Sequence, residues 1–202
     1  MKIEKEKLNE AFINVITKIK YNKQAEIDFE RYMDNPSPIN KLKLFEYIEN
    51  TEISKQYFLN NENYDDTDKE IHLDVFIFII CLLTKILPND IDSEERKKFN
   101  ITNAEKIITI LKIKSFEYKD KDSAKDRFNK KIIDLCDCNS SNEAMEYINL
   151  NLKRHIIENK IPFNAVNLFE TIIDFDNKDK PTKSMRNWIH EYFSKSTNKE
   201  EK

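Results

Sequence analysis

The chain has 202 residues, enough for one large domain or two small ones, and it contains no glycine. Phosphate-cradling loops, dinucleotide fingerprints and tight hairpin turns lean on glycine for positive φ or close backbone approach, so the composition argues against Walker-type and Rossmann-type enzymes and against a hairpin-rich β fold. With 39% apolar residues, 35% charged residues and a formal net charge of −3, the chain has neither the make-up of a disordered protein nor the overall charge of a strongly basic nucleic-acid binder.

Helix signals follow one another along the chain. Residues 4–20 place Leu8, Phe12, Val15, Ile16 and Ile19 on one face at three- and four-residue steps, and 23–33 does the same with Ile27, Phe29 and Tyr32. Asn35-Pro36-Ser37-Pro38 breaks the pattern, and a helix restarts near Pro38 with Leu42, Leu44, Phe45 and Ile48 inward. After a polar loop at 60–66, Thr67 and Glu70 read as a capping box opening a helix of about 68–87, apolar nearly all round, that Pro88 ends. Its apolar run, Val75 to Leu83, is too short for a membrane span and reads as the centre of a core.

Thr102 and Glu105 suggest a second capping box and a helix of 103–114, and 121–136 forms the next helix with Phe128, Ile132, Ile133 and Leu135 inward. Ser140 and Glu143 suggest a third box, opening 141–159. Pro162 and Pro181 each start a further helix at its first turn, the first reaching about Asp174. In the last helix Met185, Trp188, Ile189, Tyr192 and Phe193 form one wide apolar stripe, with Trp188 as a core anchor and Lys183, Arg186 and His190 off the stripe. No segment alternates at period two. The expected fold is all-α: two packed helical domains, 1–115 and 116–202, divided at the Ser115–Asp122 seam, the second a four-helix bundle.

Signals for chemistry are sparse. His72, His155 and His190 lie on three separate helices, and none has a metal-binding spacing. Cys136 and Cys138 form a C-x-C with no second pair to complete a zinc set, and the odd cysteine count without a signal peptide fits a reducing cytoplasm. Asp174 and Asp176 could pair on a metal, but they precede a Lys/Asp-rich loop where carboxylates serve solvation. The expectation is therefore no enzyme, no metal and no cofactor.

A binding role fits the charge pattern better. From Glu94 to Lys131 twelve Lys/Arg face seven Asp/Glu. Within that stretch Lys125, Arg127, Lys130 and Lys131 crowd one helix, with Lys119 and Lys121 just before it and Asp122 and Asp126 diluting it. Arg127 with Lys130 and Lys131 makes a basic stripe at i, i+3 and i+4, a pattern that tracks phosphates without reading bases or is simply a solvated face.

Several stretches together look familiar: "NITNAEKIITIL", "AKDRFNKKIIDLCDCNSSNEAMEYI", "IENKIPFNAVNLFETIIDFD" and "TKSMRNWIHEYFSK", preceded more loosely by "KQAEIDFERYMDNPSPINKLKLFEYI" and "DVFIFIICLLTKI". In order and spacing they resemble CasB, the small subunit of the type I-E CRISPR surveillance complex Cascade, over about residues 95–195. The resemblance implies two packed helical domains and a non-catalytic, cytoplasmic subunit. Such a subunit lies along the complex beside the other Cascade subunits and the guide RNA, usually with a second copy of itself, holding the displaced single-stranded DNA and steadying the guide–target duplex in antiviral defence. Arg127 matches the family's basic position, with Lys125, Lys130, Lys131, Lys183 and Arg186 as secondary carry-overs. Arg186 has the alternative of capping a carboxylate inside the bundle.

The chain departs from the family at Asp28-Phe29-Glu30, followed by a lone Arg31, and at Ala104-Glu105. N-terminal contacts would then fall to Lys106, Lys112 or Lys114. The alternative class is a helical protein–protein interaction module with no nucleic-acid role.

Overall fold

The computed structural model describes residues 5–35, 37–49, 66–86, 104–118, 122–158, 162–177 and 182–194, and its architecture is all-α. The helices are α1 (Lys5–Lys20), α2 (Lys23–Asp34), α3 (Pro38–Glu49), α4 (Asp66–Ile86), α5 (Ile107–Phe116), α6 (Asp122–Cys136), α7 (Ser141–Tyr147), a π-helical segment (Ile148–Leu152), α8 (Lys153–Glu158), α9 (Ala165–Asp174) and α10 (Lys183–Phe193). Among the described residues the one β feature is an isolated parallel bridge between Glu105 and Phe163, closed by the Asn164 amide donating to the Glu105 carbonyl at 2.9 Å. Residues 60–65, Pro88, Thr102, Lys119, Lys121 and Pro181, all named above, lie outside the described residues.

α4 is the hub because its sequence is apolar on every side. Leu73, Phe76, Ile79, Ile80 and Leu83 are among its twelve buried residues, so it must be surrounded. It packs against α1, α2, α7, α8 and α9. Phe12 of α1 stacks on Phe76 with ring centroids 4.5 Å apart and meets Phe169 of α9 edge-on at 6.2 Å. Each such fully buried side chain is worth about 1.5–3 kcal/mol relative to exposure. One cluster of buried side chains runs from Leu8 to Tyr192, with members on both sides of the 115/116 boundary. Polar ties cross it too: Asp34 at the end of α2 meets Lys153 of α8 at 2.8 Å, and Lys5 of α1 meets Glu170 of α9 at 2.9 Å.

Local chemistry sets four of the helix starts. Asn22 accepts from the Gln24 and Ala25 amides, Ser140 from Glu143, Asn164 from Asn167 and Thr182 from Met185. Glu143 reaches back to the Asn139 amide at 2.7 Å, one residue before the cap. Elsewhere the starts differ from expectation. α4 begins at Asp66, so Thr67 sits inside its first turn rather than at its cap. α5 begins at Ile107 because Glu105 is held in the bridge, and Lys106 caps without a side-chain bond. α9 begins at Ala165, three residues past Pro162, because Phe163 occupies the other side of that bridge.

Two inward assignments also fail: Leu42 is 66% exposed and Ile27 is only half-buried, whereas Tyr32 packs half-buried against the core. On α2 the buried stripe instead includes Ala25, Phe29, Met33 and even Asp28, whose carboxylate is satisfied by Gln24 at 3.0 Å and Tyr47 at 3.3 Å.

The expected helix 141–159 is continuous over 141–158 but changes pitch in the middle. Ala144, Ile148, Leu152 and Ile156 are all buried, a strict four-residue spacing. In an α-helix four residues overshoot a full turn by about 40°, so such a stripe drifts off the core. The wider π turn at Ile148–Leu152 takes up the drift and keeps all four inward. Lys131 of α6 donates to the Asn151 carbonyl within this segment at 3.1 Å.

Candidate nucleic-acid interface

The site begins with how the last helix is fixed. Met185, Trp188 and Tyr192 are buried, and Trp188 anchors α10 in the core. Three neighbours hold it. On the α9 side the Ser184 amide donates to Asp174 Oδ2 at 3.2 Å. On the α6 side Tyr192 Oη donates to Asn129 Oδ1 at 2.9 Å. On the α5 side Glu191 takes Lys106 Nζ at 2.7 Å and Thr109 Oγ1 at 2.6 Å.

Lys112 closes the helix end, donating to the carbonyls of Glu191 at 2.9 Å and Ser194 at 2.7 Å and to Ser194 Oγ at 3.1 Å. A cation on carbonyls at a helix C-terminus is favourable both as charge-assisted hydrogen bonds and against the helix dipole.

These contacts sort the predicted cations. Lys106 and Lys112 are engaged with α10, Lys114 pairs with Glu117 at 2.6 Å, and Lys131 is half-buried on the π segment. Lys125 is half-buried on α6. Arg127 and Lys130 on α6, and Lys183 and Arg186 on α10, are exposed. Arg127 uses Nε on the Ser123 carbonyl at 3.1 Å, one turn back on its own helix. Asp122 and Asp126 are exposed on α6 as well, whereas the acidic side chain of α10, Glu191, is turned to α5. The outward side of α10 therefore carries the cleaner positive charge.

Three apolar side chains expected to face inward lie on the same outer surface: Ile133 is 44% exposed, Ile189 38% and Phe193 47%. Helix geometry explains them. Asn129 faces α10, and Ile133 follows it at i+4 on the same flank, with Lys130 its i−3 neighbour. On α10, Tyr192 faces α6, and Arg186, Ile189 and Phe193 step along the adjoining flank at i, i+3 and i+7. The same flank of α6 also carries the exposed Asp126, i−4 to Lys130, and Asp137, i+4 to Ile133, so the apolar residues near the α6–α10 seam are bordered by charges of both signs. Amphipathic periodicity flags these residues as apolar but cannot tell that, among the described residues, α10 packs chiefly on α5, α6 and α9 and leaves this flank exposed.

The acidic candidates have structural partners. Asp174 caps α10, and Asp176 Oδ1 accepts the Ser141 amide at the start of α7 at 3.0 Å. Burial pushes the Asp174 carboxyl up, but hydrogen bonds from Ser184 and Thr182 outweigh it and hold the group below its ordinary range. Both line an open cleft of about 800 Å³ together with Asp68, His72, Asn167 and Lys183. Burial lowers the His72 pKa, opposed by Asp68 and Asp176. Among the described residues no group of three or more His, Cys, Asp or Glu could hold a metal ion, and Cys136 and Cys138 are both buried thiols.

The α5–α10 clamp has a pH signature. Burial raises the Glu191 pKa, but hydrogen bonds from Lys106 and Thr109 prevail and leave it lowered. A folded-state pKa below the unfolded one gives stability that is present at neutral pH and lost as pH falls through the folded value. Glu191→Gln is therefore expected to flatten the decline in stability between about pH 5 and pH 3, measured by denaturant unfolding at each pH. An unchanged decline would place the acid sensitivity elsewhere.

No helix among the described residues is long and apolar enough to cross a membrane. Compared with family models, curated proteins and solved structures, the chain matches none.

Proposed function

We propose that this chain is the non-catalytic, cytoplasmic small subunit of a type I-E CRISPR surveillance complex. In that role it stabilises the guide–target duplex and the displaced DNA strand through sequence-independent backbone contacts in antiviral defence. The observation that supports the reading best is the exposure of Arg127, Lys130, Lys183 and Arg186 on two helices packed side by side. It stands beside the ordered run of stretches that resemble CasB.

Cations on outward helix faces reach phosphates rather than base edges, and Arg can grip a phosphate with two parallel hydrogen bonds. On this reading the chain forms two packed helical domains, the second a four-helix bundle, that share a core. It docks among the other Cascade subunits and guide RNA beside a second copy of itself.

The test is co-expression with a type I-E guide-RNA core lacking its small subunit, reading co-elution and the lifetime of bound target DNA. The expected result is incorporation with a longer DNA lifetime. Changing Arg127 and Lys130 to Ala should leave incorporation intact and shorten that lifetime, with a salt dependence shallower by about 0.7–0.9 in log–log slope for each phosphate no longer neutralised. Failure to join the core would remove the proposal. A second reading, a helical interaction module without nucleic acid, is favoured by the exposed line of Ile133, Ile189 and Phe193, and it predicts no DNA binding at low salt.

A further inference from the structure

We infer that the exposed flank shared by α6 and α10 docks one amphipathic helix of a partner protein, a helix with an apolar stripe, basic residues along one edge and acidic residues along the other. The inference rests on the interaction reading above and names its partner by chemistry; it holds whether or not the chain also meets DNA. Ile133 of α6 and Ile189 and Phe193 of α10 are the exposed apolar side chains of this flank. Two turns of a helix answer such a set with residues at i, i+3 or i+4, and i+7. The surface is fixed in place. Tyr192 is buried, bonds Asn129 of α6 at 2.9 Å and meets the Phe193 ring edge-on at 4.8 Å. Lys112 closes the turn that carries Phe193. A preformed face spares a partner much of the cost of ordering.

Charge selects the occupant. Along the α6 border the exposed Asp122, Asp126 and Asp137 stand against Lys130 at helical spacing. Along the α10 border the exposed Lys183 and Arg186 precede Ile189 at successive three-residue steps, and the one carboxylate of that helix, Glu191, is turned to α5. The strip is therefore acidic along one border and basic along the other. A nucleic-acid backbone carries one sign of charge and meets repulsion along α6. A helix with opposed edges meets attraction along both borders, and only in one direction, because turning it end for end sets like charges against each other. Complementarity of this kind fixes partner and register more than raw affinity.

The experiment is binding of the full chain, at low salt, to a short peptide held helical by a side-chain bridge on its outer face. Its stripe carries leucines at i, i+3 and i+7, and it is made in three charge forms: Lys on one edge with Glu on the other, Lys on both, and Glu on both. The opposed-edge form is expected to bind on the order of tenfold more tightly than either single-sign form, with the margin closing as salt is added. A paramagnetic tag on the N-terminus of that peptide should broaden amide resonances at one end of α10. Swapping the borders with Lys183→Glu, Arg186→Glu, Asp126→Lys and Asp137→Lys should keep the affinity and move the broadening to the opposite end. Ile189→Ser with Phe193→Ser should weaken all three forms by about tenfold or more. Both side chains are part-exposed, so the thermal transition should stay in place, and Phe193→Ser alone gives the same direction if the double variant is destabilised.

Equal affinity of the three forms, or broadening that ignores the swap, overturns charge-selected docking. Binding of none overturns the inference, while incorporation into the guide-RNA core remains a separate readout of the reading above. Displacement of the peptide by single-stranded DNA, or by a second copy of the chain seen as a dimer in sedimentation, gives the face to that occupant and overturns the inference as well.

Discussion

Phe169→Ala is expected to lower the unfolding free energy by about 3–5 kcal/mol and to keep unfolding in a single transition. Phe169 lies on α9, is fully buried, and meets Phe12 of α1 at 6.2 Å and His72 of α4 at 5.7 Å. It belongs to the C-terminal half of the chain but packs against helices of the N-terminal half. Truncation leaves a cavity between them that close-packed neighbours can fill only in part.

The single tryptophan makes the cooperativity readable. Trp188 sits on α10, so its fluorescence reports the C-terminal half while far-UV circular dichroism reports the whole chain. Coincident denaturant curves, shifted together in Phe169→Ala, are the result expected of one core. Curves that separate, with the fluorescence transition alone moving, would show that 116–202 folds as its own unit.

The second large effect belongs to Lys112. Lys112→Met is expected to cost about 1.5–3 kcal/mol, because the charge-assisted hydrogen bonds to the last carbonyls of α10 disappear and those acceptors remain half-buried. Methionine keeps the length and apolar stem of the side chain, so the destabilisation reports the ammonium itself. The same variant separates two roles for this residue. As a helix cap, Lys112 changes stability and increases hydrogen exchange at the end of α10 while the salt slope of DNA binding stays put. As a phosphate ligand it would lower the slope with little change in stability. The bonds to Glu191 and Ser194 favour the first outcome.

The helix inventory is readable because apolar residues recur at helical spacing and the breaks are chemically marked. Leu8, Phe12, Val15, Ile16 and Ile19 of α1 are buried as the period requires, and Ser140 and Thr182 cap the helices they precede. The failures share one cause: periodicity finds the apolar face of a helix but not how many neighbours cover it. It therefore places Ile133, Ile189 and Phe193 inside, although α6 and α10 leave their shared flank open. Leu42 of α3 is exposed in the same manner.

The basic stripe is legible as sequence and only partly as surface. Arg127 and Lys130 face outward, whereas Lys131 reaches a carbonyl twenty residues away, and no local pattern announces such a bond. Lys106 and Lys112 meet Glu191 and Ser194 across about eighty residues of chain, and Asp174 and Asp176 cap helices that begin elsewhere. Through-space satisfaction of charges and helix ends decides which candidates remain available to a ligand.

The π turn at Ile148–Leu152 makes the length of this stretch a mechanical setting. Removing one residue there would not shorten a loop. A π turn holds about one residue more than an α turn over the same angle, so the segment would close to α pitch and leave Ile156 on the core and His155 near Phe128, whose ring it meets at 4.9 Å. A single deletion in the α-helical parts on either side would instead turn everything beyond it by about 100° and change the angle at which α8 engages α4 and α5. The helix from Ser141 to Glu158 thus carries one spare residue, and length variation among descendants of this sequence has room at that turn as well as in the connections between helices.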